Sequence, residues 1–189
     1  MFEVRPTDDV DVIIEILNYQ NRAELEERLR AIGFSHDFES GVICRYKIHG
    51  IIVDIMPTNE PSIGFSNKWY PDGFIQAVDF TIDDQCTVKI LSAPYFIATK
   101  LEAFKGRGQN DGRTSQDFED IIYVLENRES IWEEMNNSNE AVKKYLRSEF
   151  QNLLNNPNHF EWIDGHTERG SPPASQLCVR CFFFIFYFN

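Results

Sequence analysis

Apolar residues follow a strand pattern in the first half of the chain and a helical pattern in the second half. The β-branched run Val10–Ile16 predicts a strand, and apolar residues at helical spacing predict a helix over Arg22–Ile32. Two further strands are predicted at Gly41–Ile48 and Ile51–Met56, joined by His49-Gly50, a pair that is typical of a tight hairpin turn. The first half is therefore expected to build a sheet.

The second half begins with another predicted hairpin, formed by strands Phe74–Ile82 and Cys86–Leu91, and then becomes helical. Helices are predicted over Tyr95–Phe104, over Ser115–Leu125 with its first residue as the N-cap, and over Glu140–Leu154. This order predicts an α+β fold in which a mixed or antiparallel sheet is followed by a helical C-terminal half.

Residues 165–189 differ in composition from the rest of the chain. Five of the sixteen phenylalanines lie within 182–188, and Gly170–Ser175 before them has the composition of a linker. We interpret residues 1–164 as the folded domain and 165–189 as an atypical tail, disordered or non-native, that packs poorly on it. The alternative is a short anchor or a buried edge strand. Deleting 166–189 is expected to leave the thermal midpoint unchanged.

Charge and cysteine content exclude several classes of protein. A net charge of −12 argues against a broad basic surface for nucleic acid, although a nucleotide can still bind locally through a few cations or metal ions. Four cysteines do not make a disulfide scaffold. The polar, acidic N-terminal stretch is unlike a secretory signal, and no apolar run is long enough for a membrane helix. We therefore expect a cytoplasmic protein with no membrane partner.

Three aspartates on predicted strands are candidate metal ligands. Asp9 and Asp11 lie two residues apart, so on a strand they project from the same face, and a cation between them would relieve their repulsion. Asp54 is the one charge in an apolar strand, where an isolated carboxylate needs a partner. We favour a shared site for magnesium, which prefers oxygen ligands. The alternatives are solvated aspartates at a strand entrance and, for Asp54, a salt bridge to Arg45 or Lys47.

A second group of candidates lies on the predicted helices. Lys100 is a single cation in an apolar helical context and can neutralise a phosphate. Asp117 and Asp120 lie three residues apart on one helical face. The simpler interpretation is a solvated or snorkelling lysine and a carboxylate that stabilises a helix N-terminus.

Several motifs occur in an order that resembles a known family, over about residues 3–163. These motifs are Arg5-x-Thr7-x-Asp9-Val10-Asp11, Ile51-Ile52-Val53-Asp54, Gly64-Phe65-Ser66-Asn67-Lys68-Trp69-Tyr70, Ala98-Thr99-Lys100-Leu101-Glu102-Ala103-Phe104 and Ser115-x-Asp117-x-Glu119-Asp120. Together they resemble the nucleotidyltransferase-fold proteins of the abortive-infection toxin type, the AbiEii-like group.

The resemblance implies a metal-dependent nucleotidyltransferase with a nucleotidyltransferase-like mixed sheet. In that superfamily two magnesium ions bind a nucleoside triphosphate and activate an acceptor hydroxyl, here of RNA, a protein or a small molecule. Asp9 and Asp11 resemble the metal pair, and Asp54 resembles the third, catalytic carboxylate. Lys100 is similar to the family's lysine near the phosphates, and Asp117 to its helical aspartate. The resemblance to a toxin also implies an antitoxin as a protein partner.

One departure from the family concerns the phosphate-binding turn. Family members carry a Gly-Gly or Gly-Ser turn before the paired aspartates, whereas no glycine precedes Gly33 in this sequence. We therefore expect a truncated nucleotidyltransferase-like domain over 1–164, with impaired catalysis. A non-catalytic binding module of the same fold is the main alternative, and a carboxylate-metal nuclease is a third.

Overall fold

The structure, a computed structural model of the protein, describes residues 9–15, 19–58, 67–107, 111–167 and 174–187. The chain divides into two compact units, Met1–Phe74 and Ile75–Asn189. About 55% of the described residues are helical and 19% lie in strands, so the fold is mixed α and β with a small mixed sheet. The predicted combination of α and β structure is therefore confirmed, and the nucleotidyltransferase-like identity of the sheet stays a prediction.

The described part of the first unit holds a four-stranded sheet, one long helix and most of a short helix. Its elements are β1 (Asp9–Ile14), α1 (Tyr19–Ala31), β2 (Ser35–His36), β3 (Arg45–Ile48), β4 (Ile51–Pro57) and most of α2 (Tyr70–Ile75). The strand order is β1-β4-β3-β2, with β1 parallel to β4 and the other pairs antiparallel. The three predicted strands correspond to β1, β3 and β4. The predicted start of the second strand is wrong, since residues 41–44 form a loop and a turn, and Ile16 of the first predicted strand lies outside the described residues.

One face of this sheet is apolar and packs against α1. Leu29 from the helix, Val53 and Ile55 from β4 form a buried cluster, and Val12 of β1 and Tyr46 of β3 pack against it. Because side chains alternate along a strand, this pattern sends the intervening residues of the same strands to the opposite face. The candidate aspartates belong to that opposite face.

The turn between β3 and β4 agrees with its sequence signal. His49 has a φ of 50° and Gly50 a φ of 85°. Two successive residues with positive φ are the mark of a type I′ hairpin turn, whose twist matches that of the flanking strands. This turn fixes the register of β3 against β4, which determines the partner of Asp54.

The second unit is mainly helical. Its elements follow a short helix, α2 (Tyr70–Ile75), and are β5 (Val78–Asp83), β6 (Cys86–Ile90), α3 (Ala93–Gly106), α4 (Gln116–Asn127), α5 (Ile131–Asn136), α6 (Glu140–Asn155), α7 (His159–His166) and α8 (Ala174–Phe186). The second hairpin is confirmed, but the predicted start of its first strand is wrong, since Phe74 and Ile75 belong to α2 and the strand begins at Val78. The three predicted helices correspond to α3, α4 and α6, and α4 begins after Ser115, whose hydroxyl accepts a hydrogen bond from the Phe118 N–H.

The expectation that the tail packs poorly is wrong for residues 174–186. They form α8, which buries Ala174, Leu177, Cys181 and Phe184. The Phe184 ring lies 5.9 Å from the Phe150 ring of α6, centroid to centroid. Residues 168–173, which include most of the predicted linker, and 188–189 lie outside the described residues.

Membrane-spanning helices are absent from the part of the chain that the structure describes, where no helix is both long and apolar enough to cross a bilayer.

Candidate functional site

The three candidate aspartates share one face of the first unit's sheet. Asp11 of β1 is the direct register partner of Asp54 on β4, and Asp9 pairs with Ile52, two residues before Asp54. In a parallel pair, register partners point to the same side, so all three carboxyl groups project away from α1. The predicted convergence of these residues on neighbouring strands is confirmed. Their role as metal ligands stays a prediction.

Arg45 lies on the other side of Asp54, as its register partner on β3. Its Nε donates to Asp54 Oδ1 at 2.8 Å, and its Nη2 donates to Asp54 Oδ2 at 2.7 Å. The same Nη2 reaches Asp9 Oδ2 at 3.4 Å. This is a bidentate ion pair, the strongest geometry that arginine makes with a carboxylate. Of the two salt bridges left open by the sequence, the structure contains the one to Arg45.

Lys47 makes a different pair, although it lies on the same face of β3 as Arg45. Its Nζ lies 3.0 Å from Oδ1 of Asp37, a carboxylate that is buried beside the short strand β2. The pairing of Ser35 with Lys47 brings the two strands together at this point. Lys47 is therefore paired with Asp37. Of these two cations, Arg45 is the one that binds Asp54.

The charges of this face alter the pKa of two neighbouring groups. Hydrogen bonding to Asp54 raises the pKa of Arg45 further above its usual value, so the guanidinium stays charged at every physiological pH. Burial raises the pKa of the Cys44 thiol, and the negative charges of Asp54 and Asp11 raise it further. The negative charges of Asp54 and Asp11 therefore both act on the thiol of Cys44, the residue that precedes β3.

The donor set fits magnesium in chemical type, because three carboxylates offer hard oxygen ligands on a rigid strand pair. Within the described ranges, however, no three acidic, histidine or cysteine side chains form a group arranged to hold a metal ion. Both Asp54 oxygens accept hydrogen bonds from Arg45, so an ion that binds there has to compete with the guanidinium. Asp9, Asp11 and Asp54 are the residues that would hold it.

The second unit contains another charged cluster, formed where α3 faces α4. Arg107 donates to both oxygens of Asp117, each at 2.7 Å. Lys100 Nζ lies 2.7 Å from Asp120 Oδ2 and 3.4 Å from Asp117 Oδ1. The structure thus brings Lys100 and Asp117 together, as two members of a network with two cations and two carboxylates.

Sequence reasoning missed Arg107 and left Arg45 as one of two options. Arg107 follows Lys100 by seven residues, which is two helical turns, so the two cations share a helix face. That spacing could have identified the pair. Arg5, Thr7 and residues 64–66, which belong to the motifs that carry the family resemblance, lie outside the described residues.

The pKa of Asp117 reflects two opposing effects, burial and the neighbouring cations of this second cluster. Burial alone would raise the pKa, but the hydrogen bonds and charges of Arg107 and Lys100 outweigh it and hold the pKa below the ordinary value of 3.8. A carboxyl with a lowered pKa in the folded state stabilises the fold above its unfolded-state pKa. That contribution is lost as the pH falls through the folded-state value.

Replacing Asp117 by Asn is therefore expected to lower the free energy of unfolding at pH 7 by about 2 kcal/mol, because charge-assisted hydrogen bonds are lost. The difference from wild type should shrink as the pH falls below about 4, where an aspartate of the unfolded chain becomes protonated, and should be lost as the pH falls through the lower folded-state pKa. Urea unfolding at pH 7 and pH 3 measures both effects.

The matched control is Asp79→Asn, the same chemical change in an ion pair on the β5–β6 hairpin. Its carboxylate lies 3.2 Å from Lys89, and both side chains are about 70% exposed. Exposed pairs contribute about 0–1 kcal/mol, so this variant should resemble wild type. Equal losses in the two variants would contradict a special role for the buried pair.

Comparison with known proteins adds no relative: no family model matches the chain, and no curated protein or solved structure matches it.

Proposed function

We propose that the protein is a metal-dependent nucleotidyltransferase, which transfers a nucleoside monophosphate from a nucleoside triphosphate to an acceptor hydroxyl. The observation that supports this most directly is the parallel register of β1 and β4, which sets Asp11 beside Asp54 with Asp9 on the same face. Carboxylates held on a rigid strand pair are suited to bind magnesium that also binds substrate phosphates.

Each of the three aspartates has a distinct position for this chemistry. Asp11 is exposed and Asp9 is half-buried on β1, so both are accessible to an ion that arrives with a nucleotide. Asp54 is only 9% exposed and is oriented by strands on both sides. Two bound magnesium ions would supply charge neutralisation for the phosphates and for the acceptor oxygen.

The roles that the resemblance implies for Lys100 and Asp117 stay part of this proposal. Their pairing within the second unit is compatible with a structural role as well, because the buried Asp117 carboxylate needs cationic partners. The proposed location is the cytoplasm, and an antitoxin remains the proposed protein partner. Among the proposed acceptors, a long RNA held by a broad basic surface is disfavoured by the net charge of −12.

A non-catalytic binding module of the same fold is the second candidate function. Arg45 favours it, because a guanidinium already neutralises Asp54 and reaches Asp9. In such a module the ion pairs of Arg45 with Asp54 and Asp9 would be structural, and the protein would catalyse no reaction.

The test of the proposed function is a transfer assay with the purified chain, magnesium and each of the four nucleoside triphosphates, labelled with ³²P. The acceptor pool contains RNA, protein and small molecules, which are separated afterwards. We expect α-labelled but not γ-labelled nucleotide to become attached to one fraction, since only the α-phosphate is retained in nucleotidyl transfer.

The label position and the direction of the reaction distinguish the alternatives. Transfer from the γ-position would indicate a kinase, and release of nucleotides from labelled RNA would indicate the nuclease. Binding of the magnesium nucleotide without transfer to any fraction would favour the non-catalytic module.

A further inference from the structure

We infer that Arg45 is a built-in counter-cation for the carboxylate face of the sheet, which consists of Asp9, Asp11 and Asp54. The Arg45 side chain occupies Asp54 and competes with a divalent ion for it. This inference rests on the proposed function, because it concerns the same site. It predicts that Arg45 lowers the affinity of the protein for a divalent cation, so that its removal exposes a stronger metal site.

The first argument is the number of ligand atoms that Arg45 engages. Its two nitrogens bind both oxygens of Asp54, and one of them extends to Asp9. It therefore contacts two of the three carboxylates that would hold an ion. Each Asp54 oxygen keeps a further lone pair, but a dication placed there would lie next to a guanidinium of the same sign.

The second argument is electrostatic. Without a cation, three carboxylates on one strand face would repel each other, and Asp54 is too buried to rely on water. Arg45 offsets part of this repulsion from a neighbouring strand, which the hairpin turn at His49-Gly50 holds in register. The position is therefore built into the sheet and does not depend on a flexible loop.

The third argument is that Asp54 is paired specifically with Arg45 and not with the other cation of β3. Lys47 lies on the same strand and face, two residues along, but pairs with Asp37 instead. A general excess of positive charge on β3 would leave both cations near the aspartates, whereas only the bidentate side chain engages them. Arginine can make two parallel hydrogen bonds to a carboxylate, which a lysine ammonium cannot.

The experiment measures Mn²⁺ binding to the full chain, without nucleotide, by electron paramagnetic resonance and by calorimetry. The proteins are wild type, Arg45→Gln, Arg45→Lys, Lys47→Gln, Asp54→Asn and the Arg45→Gln/Asp54→Asn double variant. We expect Arg45→Gln to bind Mn²⁺ about 10- to 100-fold more tightly, the range that charge-assisted hydrogen bonds correspond to. Asp54→Asn in the double variant should remove that gain.

Two of these variants serve as controls. Lys47→Gln removes the same charge from the same strand face, and its affinity should stay within about threefold of wild type, as expected for a more distant, solvent-screened charge. Arg45→Lys keeps the charge but loses the two parallel bonds, so a smaller gain of the same sign is expected. It keeps the inference testable if Arg45→Gln does not fold, which circular dichroism of each variant establishes.

Three outcomes would overturn the inference. Unchanged or weaker Mn²⁺ binding by Arg45→Gln, with wild-type binding that depends on Asp54, would exclude the competition but leave the proposed metal site. An equal gain in Lys47→Gln would show a general charge effect. The absence of Mn²⁺ binding in wild type and in both Arg45 variants would overturn the metal site and the competition together.

Discussion

Replacing Asp11 by Asn is expected to lower the rate of nucleotide transfer at least about 100-fold, since a metal-bound transition state is stabilised by several kcal/mol. An amide has the shape of the carboxylate but not its charge, so it cannot hold a magnesium ion beside Asp54. Because Asp11 is exposed on β1, the fold should tolerate the change. The measurement is the initial rate of α-label incorporation, with urea unfolding as the check on stability.

Asp79→Asn is again the matched control, because it makes the same change on the exposed hairpin of the second unit. Its transfer rate should equal that of wild type. Partial recovery of Asp11→Asn activity at high Mn²⁺ would support a ligand role for Asp11. Equal rates in wild type and Asp11→Asn would show that this face does not hold the ion that transfer requires.

The strands that carry the candidate aspartates could be predicted because their signal is local. Val10 to Ile14 and Ile51 to Met56 are β-branched or apolar runs, and the His49-Gly50 pair specifies the turn between β3 and β4. The alternation of side chains then predicts that Asp9 and Asp11 share a face. These inferences need only the period of a strand, which the sequence shows directly.

The partner of Asp54 could not be decided from the sequence. A lone carboxylate in an apolar strand requires a cation, but a metal ion and an arginine satisfy that requirement equally well. The choice depends on which residue of β3 lies opposite Asp54, and a shift of one residue would send Arg45 to the other face of the sheet. Register is a property of paired strands, so composition and spacing left both options open.

The helix at the end of the chain was missed for a different reason. Ala174, Leu177, Cys181 and Phe184 recur at spacings of three and four residues, which is a helical core pattern. The opposite face of α8 also carries aromatic residues, among them Phe182, Phe183 and Phe186, which are about half exposed. Apolar residues on every side conceal the period, and the change in composition then suggested a tail.

The packing of α8 reverses the expectation for its removal. Phe184 is fully buried, with its ring centroid 6.3 Å from that of Trp132 and 5.9 Å from that of Phe150. The Arg147 guanidinium lies 5.6 Å from the centre of the same ring. The side chain therefore contributes to the core that α5 and α6 share with α8, and loss of the segment would expose that core.

Phe184→Ala is consequently expected to lower the free energy of unfolding by about 3–5 kcal/mol, the usual cost of removing a buried phenylalanine ring and leaving a cavity. Its neighbour Phe183 provides the control, because its side chain is 48% exposed and its replacement by alanine creates no enclosed cavity. Urea unfolding of both variants, followed by circular dichroism, measures the difference. A loss below about 1 kcal/mol for Phe184→Ala, no more than for an exposed site, would mean that α8 does not pack on the core in solution.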